Sequence, residues 1–236
     1  MAVPDVPKAG WREAVAMTQC SICLGFEARG LEEIWNQPLL ESRNFVVLPS
    51  LGALVEGWLL LVPKTHVICM GELSDNLTAE MQELKSRIRE TLQRAYGNVC
   101  AFEHGPSRAK TSLGCGVDHA HLHLVPAEFD LHSAVAPFLP EGVTWSNAGP
   151  KECRDAFARG EDYLYLEQPN DAGRIATHQS FGSQLFRRAI AERIGRSHQF
   201  DWREYPQLPN VKLTVDKVQS LSATVPSCQN RLEIAA

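Results

Sequence analysis

Asp118-His119-Ala120-His121-Leu122-His123-Leu124-Val125 is the stretch on which the fold turns. Histidines alternate with small or apolar residues, and a period of two is the period of a β-strand. On that reading His119, His121 and His123 share one face, while Ala120, Leu122 and Leu124 enter a core on the other. Same-face neighbours on a strand stand roughly 7 Å apart, so the three imidazoles suit neighbouring tasks rather than one shared small ligand. One can hold a metal, the next can attack a phosphorus, and the third can touch phosphate oxygens or a leaving group. A merely polar strand face would rarely gather three of the chain's eight histidines into one pentapeptide.

Working outward, residues 43–49 and 57–62 read as strands, the second more buried. From Thr78 to Tyr96 the period changes, and Met81, Leu84, Ile88 and Leu92 fall at helical spacing with charged residues between them. Thr78 is the expected N-cap and Gly97 the expected stop. Residues 99–103 and 119–125 add two strands, the last ending at Pro126. Two strands, a helix and two strands predict an α+β fold with helices packed on one side of a sheet. After a loop region with Pro137, Pro140, Gly142, Gly149 and Pro150, residues 162–167 alternate like another strand. Residues 181–194 read as an amphipathic helix with Phe181, Leu185, Ala189 and Ile190 inward, and residues 201–206 close this part against the core. The expected organisation is a flexible arm over 1–16, a catalytic domain over 17–130, a C-terminal α/β extension packed on the core over 131–220, and a polar tail over 221–236.

With 236 residues, 44% of them hydrophobic, the chain can bury a sizeable core. A formal net charge of -5 gives no basic footprint and argues against nucleic acid as a partner. A small anionic nucleotide needs only a local positive pocket. No apolar run reaches the length of a membrane span, and no basic-then-apolar signal follows Met1. Seven cysteines, mostly isolated, do not form a disulfide framework, so the expectation is a cytoplasmic protein with reduced thiols.

The motifs taken together resemble the histidine-triad (HIT) superfamily of nucleotide hydrolases and nucleotidyltransferases. His-hydrophobic-His-hydrophobic-His at 119–123 carries the resemblance, and Leu59-Leu60-Leu61-Val62-Pro63-Lys64-Thr65-His66 looks like the family's apolar strand ending in Pro-Lys-x-His. Ala101-Phe102-Glu103-His104-Gly105 looks like the strand end and glycine turn before the triad, and Cys20-Ser21-Ile22-Cys23 matches the Cys-x-x-Cys of zinc-containing members. The resemblance covers roughly residues 17 to 130 and implies a HIT-like antiparallel sheet. Cys20 and Cys23 alone are spaced for one tetrahedral zinc or for an incidental thiol pair. The resemblance supplies the other two ligands, His66 and His119, and closes a structural zinc site with no open position. Cys69, Cys100, Cys115, Cys153 and Cys228 read as core or surface thiols.

The resemblance also implies that His121 attacks an α-phosphorus through a nucleotidyl-histidine intermediate, as a neutral imidazole near neutral pH can. A hydrogen bond from its other ring nitrogen to a backbone carbonyl would select the attacking tautomer. His123 is expected on a phosphate oxygen or the departing group. Gly114, Cys115 and Gly116 can bring backbone N–H groups to the phosphate or form a plain turn, and Glu103 and His104 complete the expected nucleotide-binding set. The chain departs from the family where Glu103-His104-Gly105 replaces an Asn-containing turn, where the loop 106–113 carries Arg108 and Lys110, and where Gly116 stands in place of a hydroxyl residue. Gln179, Gln184, Arg187 and Arg188 read either as ligand contacts or as a solvated helix face; His132, His178 and His198 read as surface residues.

The leading expectation is a hydrolase of nucleotide conjugates, acting on a phosphoric anhydride or phosphoramidate. One alternative is a nucleotidyltransferase or phosphorylase using the same intermediate; another is a non-catalytic nucleotide- or RNA-binding module. The expected partner is a small-molecule nucleotide or nucleotide conjugate, with no membrane and with room for a homodimer.

Overall fold

The computed structural model describes residues 20–27, 33–111, 113, 117–169 and 171–224. Its centre is one eight-stranded sheet in which every paired neighbour is antiparallel. The strands are β1 (Leu40–Glu41), β2 (Phe45–Pro49), β3 (Leu59–Pro63), β4 (Val99–Gly105), β5 (Leu122–Pro126), β6 (Ser146–Asn147), β7 (Tyr163–Glu167) and β8 (Arg174–Thr177). They lie in the order β1-β2-β3-β5-β4-β7-β8-β6. The helices are α1 (Ser21–Glu27), α2 (Asp75–Tyr96), α3 (Leu131–Val135), α4 (Pro150–Ala158), α5 (Leu185–Arg193) and α6 (Leu208–Thr224). Among the described residues no helix is long and apolar enough to cross a membrane.

Strand alternation sorts the core into two layers. Ala101, Leu122, Leu124, Leu59 and Leu61 face the stripe Met81, Leu84, Ile88 and Leu92 of α2. Helix α2 therefore covers one side of the sheet, as its period predicts. It begins a turn earlier than expected, because Ser74 rather than Thr78 precedes its first residue and Asp75 favours the positive N-terminal end. Gly97 stops it at φ 81°, a left-handed conformation that glycine adopts without strain.

The opposite face belongs to the second half of the chain. Phe102, Val125, Leu164, Leu166 and Ala176 pack against Leu185, Phe186, Ala189 and Ile190 of α5, so the extension adds helical cover on the far side. It also joins the sheet, since β7 pairs with β4 from Ala101↔Glu167 to Gly105↔Tyr163. Gly105 is required there: a Cβ would lie 2.1 Å from the Tyr163 ring. Lys85 and Arg89 both grip the Glu167 carboxylate and tie α2 to β7. Removing either base would leave a largely buried charge underpaired, at a cost of several kcal/mol.

Several parts of this architecture escape the sequence reading, among them α1, α3, α4 and the short strands β1, β6 and β8, of which β1 and β6 are the sheet's edges. Helix α6 spans the end of the expected extension and the start of the expected tail, and it buries Val211 in one core layer and Val218 in the other. It is tied to the turn between β2 and β3: the amide of Asn210 donates to the Ala53 carbonyl (2.8 Å), and Gly57 N–H donates to Thr214 Oγ1 (2.8 Å). Gly52 N–H in the same turn donates to the Pro206 carbonyl (2.8 Å). The arm over 1–16 and residues 225–236 of the expected tail lie outside the described residues.

Candidate active site and metal cluster

The triad begins in a bend at His119 rather than in strand. Pairing of β3 with β5 runs only from Leu59↔Leu124 to Leu61↔Leu122. Beyond it the partners are taken: the carbonyl of Pro63 receives a bond from His119 Nε2 (2.8 Å), and Ala120 N–H donates to Val67 (2.7 Å). The expected strand over 119–125 is therefore corrected to 122–126, and the chain is free to turn the His119 ring away from the other two.

That ring enters a cluster with Cys20, Cys23 and His66, whose candidate ligand atoms all lie within 4.8 Å of one another. His119 Nδ1 is 3.5 Å from the sulfurs of both Cys20 and Cys23, and Cys23 Sγ is 3.4 Å from His66 Nδ1. A tetrahedral zinc with bonds of about 2.3 Å to sulfur and 2.0–2.1 Å to nitrogen has sulfur–nitrogen edges of about 3.5 Å. The donor set also asks for a cation. With its Nε2–H given to Pro63, His119 Nδ1 turns a lone pair to two sulfurs, an arrangement that fits a bound cation. Burial, opposed by the Pro63 bond and helped by neighbouring His66, pushes the His119 imidazole down to about 4 and keeps it neutral. Helix α1 thus brings Cys20 and Cys23 onto the end of β3 and the start of the triad.

His121 and His123 lie together, with ring centroids 4.9 Å apart and planes at 73°, closer than ideal strand spacing predicts. Nδ1 of His121 is 2.6 Å from the His119 carbonyl. That nitrogen carries the proton, and the lone pair sits on Nε2. His123 takes the opposite tautomer, because Trp58 Nε1–H donates to its Nδ1 at 3.0 Å. Its Nε2 is buried with no hydrogen-bond partner among the described residues. The His123 ring stacks on Phe102 at 4.5 Å. Burial lowers both histidines, His123 well below the usual imidazole range, and Arg187 contributes to each.

Both line a cleft of about 980 Å³, counting its open mouth. Its apolar wall includes Ile22 and Phe26 of α1, Trp35, Leu48 and Trp202. The cleft also contains Arg187, 1% exposed, which donates to the carbonyls of Gly52 and Phe200 (Nε, 2.9 Å, for the latter) and lies 4.8 Å over the Trp58 ring. Gly52 has φ +74°, and a Cβ there would meet Trp202 at 2.4 Å and Arg187 at 2.8 Å. Only glycine lets the turn approach both.

The remaining expected residues divide. His104 faces the site, 6.4 Å from His123 between ring centroids, and burial, then His121 and Arg187, push it down to about 3. Glu103 is a correction. Adjacent strand residues point to opposite faces, so its carboxylate lies under the other side, where it accepts from Met70 N–H and the Tyr163 hydroxyl, both at 2.6 Å. Gly114, Cys115 and Gly116 lie outside the described residues. Arg108 and Lys110 are exposed, and the Lys110 N–H is held by the Asp118 carboxylate. Cys69, Cys100 and Cys153 are buried free thiols. Gln184 is buried at the start of α5 with φ 57°. Arg187 turns inward although helix charges usually face water, and Trp58 reads as plain core in an apolar strand. No local pattern announces either one; only their meeting across the fold gives them a place in the site.

Three solved structures show the range of the likeness. A hypothetical histidine triad nucleotide-binding protein from Sulfolobus tokodaii strain7 is 16% identical, with 87% of this chain and 96% of that one covered and a TM-score of 0.40. A Zn-bound histidine triad family protein from Mycobacterium smegmatis is 21% identical, with 61% and 96% covered and a TM-score of 0.37. Yeast Ap4A phosphorylase Apa2 is 14% identical, with 68% and 65% covered and a TM-score of 0.41. No curated protein matches the chain. The family model described as "Protein similar to CwfJ C-terminal" matches residues 8–137, more than half of the chain and the whole of the triad. The chain therefore belongs to the CwfJ C-terminal family, a HIT-like family.

Proposed function

We propose that this protein cleaves nucleotide conjugates at the α-phosphate through a covalent nucleotidyl-His121 intermediate. The observation that carries the reading is the His121 tautomer: Nδ1 is committed to the His119 carbonyl, which leaves the Nε2 lone pair in a cleft large enough for a nucleotide. His123 supplies a buried N–H for an oxygen of the phosphate or leaving group, worth most where water is excluded. Arg187 adds a fixed positive charge to the same cleft. The aromatic and aliphatic wall suits a planar base.

Cys20, Cys23, His66 and His119 would hold a structural zinc, which would brace the backbone beside His121 without entering the reaction. The test is a panel of nucleotides and nucleotide conjugates scored for release of nucleoside monophosphate. Wild type should turn over at least one conjugate and yield a trapped nucleotidyl-enzyme. His121→Ala should lose the trapped species and at least about 1,000-fold in rate. Equal cleavage by His121→Ala would end the proposal.

A further inference from the structure

We infer that the cleft is built for conjugates whose leaving group departs as a stable anion, a phosphate or polyphosphate joined through an anhydride, and not for amine or alkoxide leaving groups. The inference rests on the nucleotidyl-His121 reading and narrows its substrate class. It comes from Trp58. An indole N–H only donates, whereas a neutral imidazole carries one proton on one of two nitrogens. With Trp58 donating at 3.0 Å, His123 Nδ1 must keep its lone pair and the proton sits on Nε2. Forming an imidazolium would need a second proton on Nδ1, head-on to the indole N–H.

Neither ring can turn to avoid that clash. Trp58 is fully buried, with Arg187 4.8 Å over its face and Phe102 edge-on at 5.9 Å. Phe102 stacks on the imidazole from its other side of contact. Burial, with His121, His104 and Arg187 nearby, further disfavours a positive His123. Its Nε2–H is therefore a hydrogen-bond donor that does not release its proton, since release would create an imidazolate. The other described groups do not replace it. His104 stays neutral down to about 3, and Arg187 keeps its protons. No carboxyl group, ammonium or phenol lines the cleft among the described residues.

In the step this site supports, the His121 Nε2 lone pair forms a bond to the α-phosphorus. The bridging phosphorus–oxygen bond breaks, and its electron pair leaves on the departing phosphate, which needs no proton. The His123 N–H stabilises that oxygen by hydrogen bonding alone. Water then bonds to the phosphorus, the nitrogen–phosphorus bond breaks with its pair returning to Nε2, and the water's proton passes to solvent. An amine or alkoxide would have to be protonated as it leaves, and none of the described groups lining the cleft does that.

The test compares, on the full chain and for each of the four bases, dinucleoside polyphosphates with the matching nucleoside 5′-phosphoramidates and alkyl phosphodiesters. Nucleotidyl-enzyme formation and monophosphate release are both read. Missing general-acid help is worth about 100-fold or more, so anhydrides should exceed both other classes by at least about that factor. Trp58→His replaces a permanent donor with a ring that can accept, and should narrow the gap at least about tenfold. Histidine ¹⁵N spectra of the wild type, which need no variant to fold, should show His123 as the neutral Nε2–H tautomer across neutral pH. Equal rates on anhydride and phosphoramidate, or an imidazolium at His123 near neutral pH, would overturn the inference while leaving nucleotidyl-His121 standing. No nucleotidyl-enzyme from any class, with the tautomer intact, would overturn the catalytic reading itself and this inference with it.

Discussion

His119 and His123 are buried imidazoles four positions apart on one stretch of chain, and opposite nitrogens of the two are engaged. His119 gives its Nε2–H to the Pro63 carbonyl and turns the Nδ1 lone pair to two sulfurs. His123 accepts the Trp58 N–H on Nδ1 and keeps a proton on Nε2. Between them, His121 spends its Nδ1–H on a backbone carbonyl and keeps a lone pair on Nε2. Three identical side chains thus present different nitrogens with or without a proton, and in each case one neighbouring group makes the choice. Spacing sets where an imidazole stands; the partner of its far nitrogen sets what it can do.

Breaking the His119 end should have the largest effect. Cys23→Ala, or a strong chelator on the wild type, should release one zinc per chain and destabilise the fold by several kcal/mol, measured by denaturant unfolding with metal analysis. That is less than the roughly 10–16 kcal/mol a zinc gives a finger with no other core, because two packed layers remain. A wild type that carries no metal and is indifferent to chelation would remove this half of the comparison.

The pair Glu103 and His104 repeats the comparison across the sheet, and pH separates them. Burial raises the Glu103 carboxyl from 4.5 to about 7, against the opposing bonds from Tyr163 and Met70. A folded-state value above the unfolded one means stability is complete below about 4.5 and falls as pH rises through about 7. The buried neutral histidines act in the opposite direction over the same window, so the Glu103 contribution is read as the wild-type profile minus that of Glu103→Gln, a difference that should fall by on the order of 3 kcal/mol. A difference profile that stays flat or rises there would contradict the buried placement.

At the His123 end, Trp58→Phe removes the indole N–H and leaves a buried acceptor unpaired, at about 1–3 kcal/mol. Its sharper signature is spectroscopic, since His123 should then populate both neutral tautomers. The smallest effect should be that of Glu103→Gln on turnover. Because its side chain lies on the face away from His121, kcat/KM should stay within about twofold of wild type. A loss of 100-fold would restore Glu103 to the nucleotide-binding set.

Much of this was legible from periodicity. Five strands and α2 follow directly from alternation and from the stripe Met81, Leu84, Ile88 and Leu92, and the triad marks the cleft. Other features needed the third dimension. Helix α6 carries Val211, Thr214, Val215 and Val218, β-branched residues that depress helix propensity, so packing on both core layers decides its form. Arg187 on an amphipathic helix looks like a solvated charge, yet two carbonyls from distant loops hold it inside. Glu103 is excluded by simple alternation: as the neighbour of His104 on β4 it faces the opposite side of the sheet.

The clamp of α6 on the turn before Trp58 has a consequence for how the protein comes into being. Thr214 and Asn210 reach back 157 positions to Gly57 and Ala53. A nascent chain will have emitted its three signature histidines long before those anchors leave the ribosome. Until then the turn that leads into Trp58 lacks the two bonds that clamp it, so this part of the cleft wall is secured well after the triad has been made.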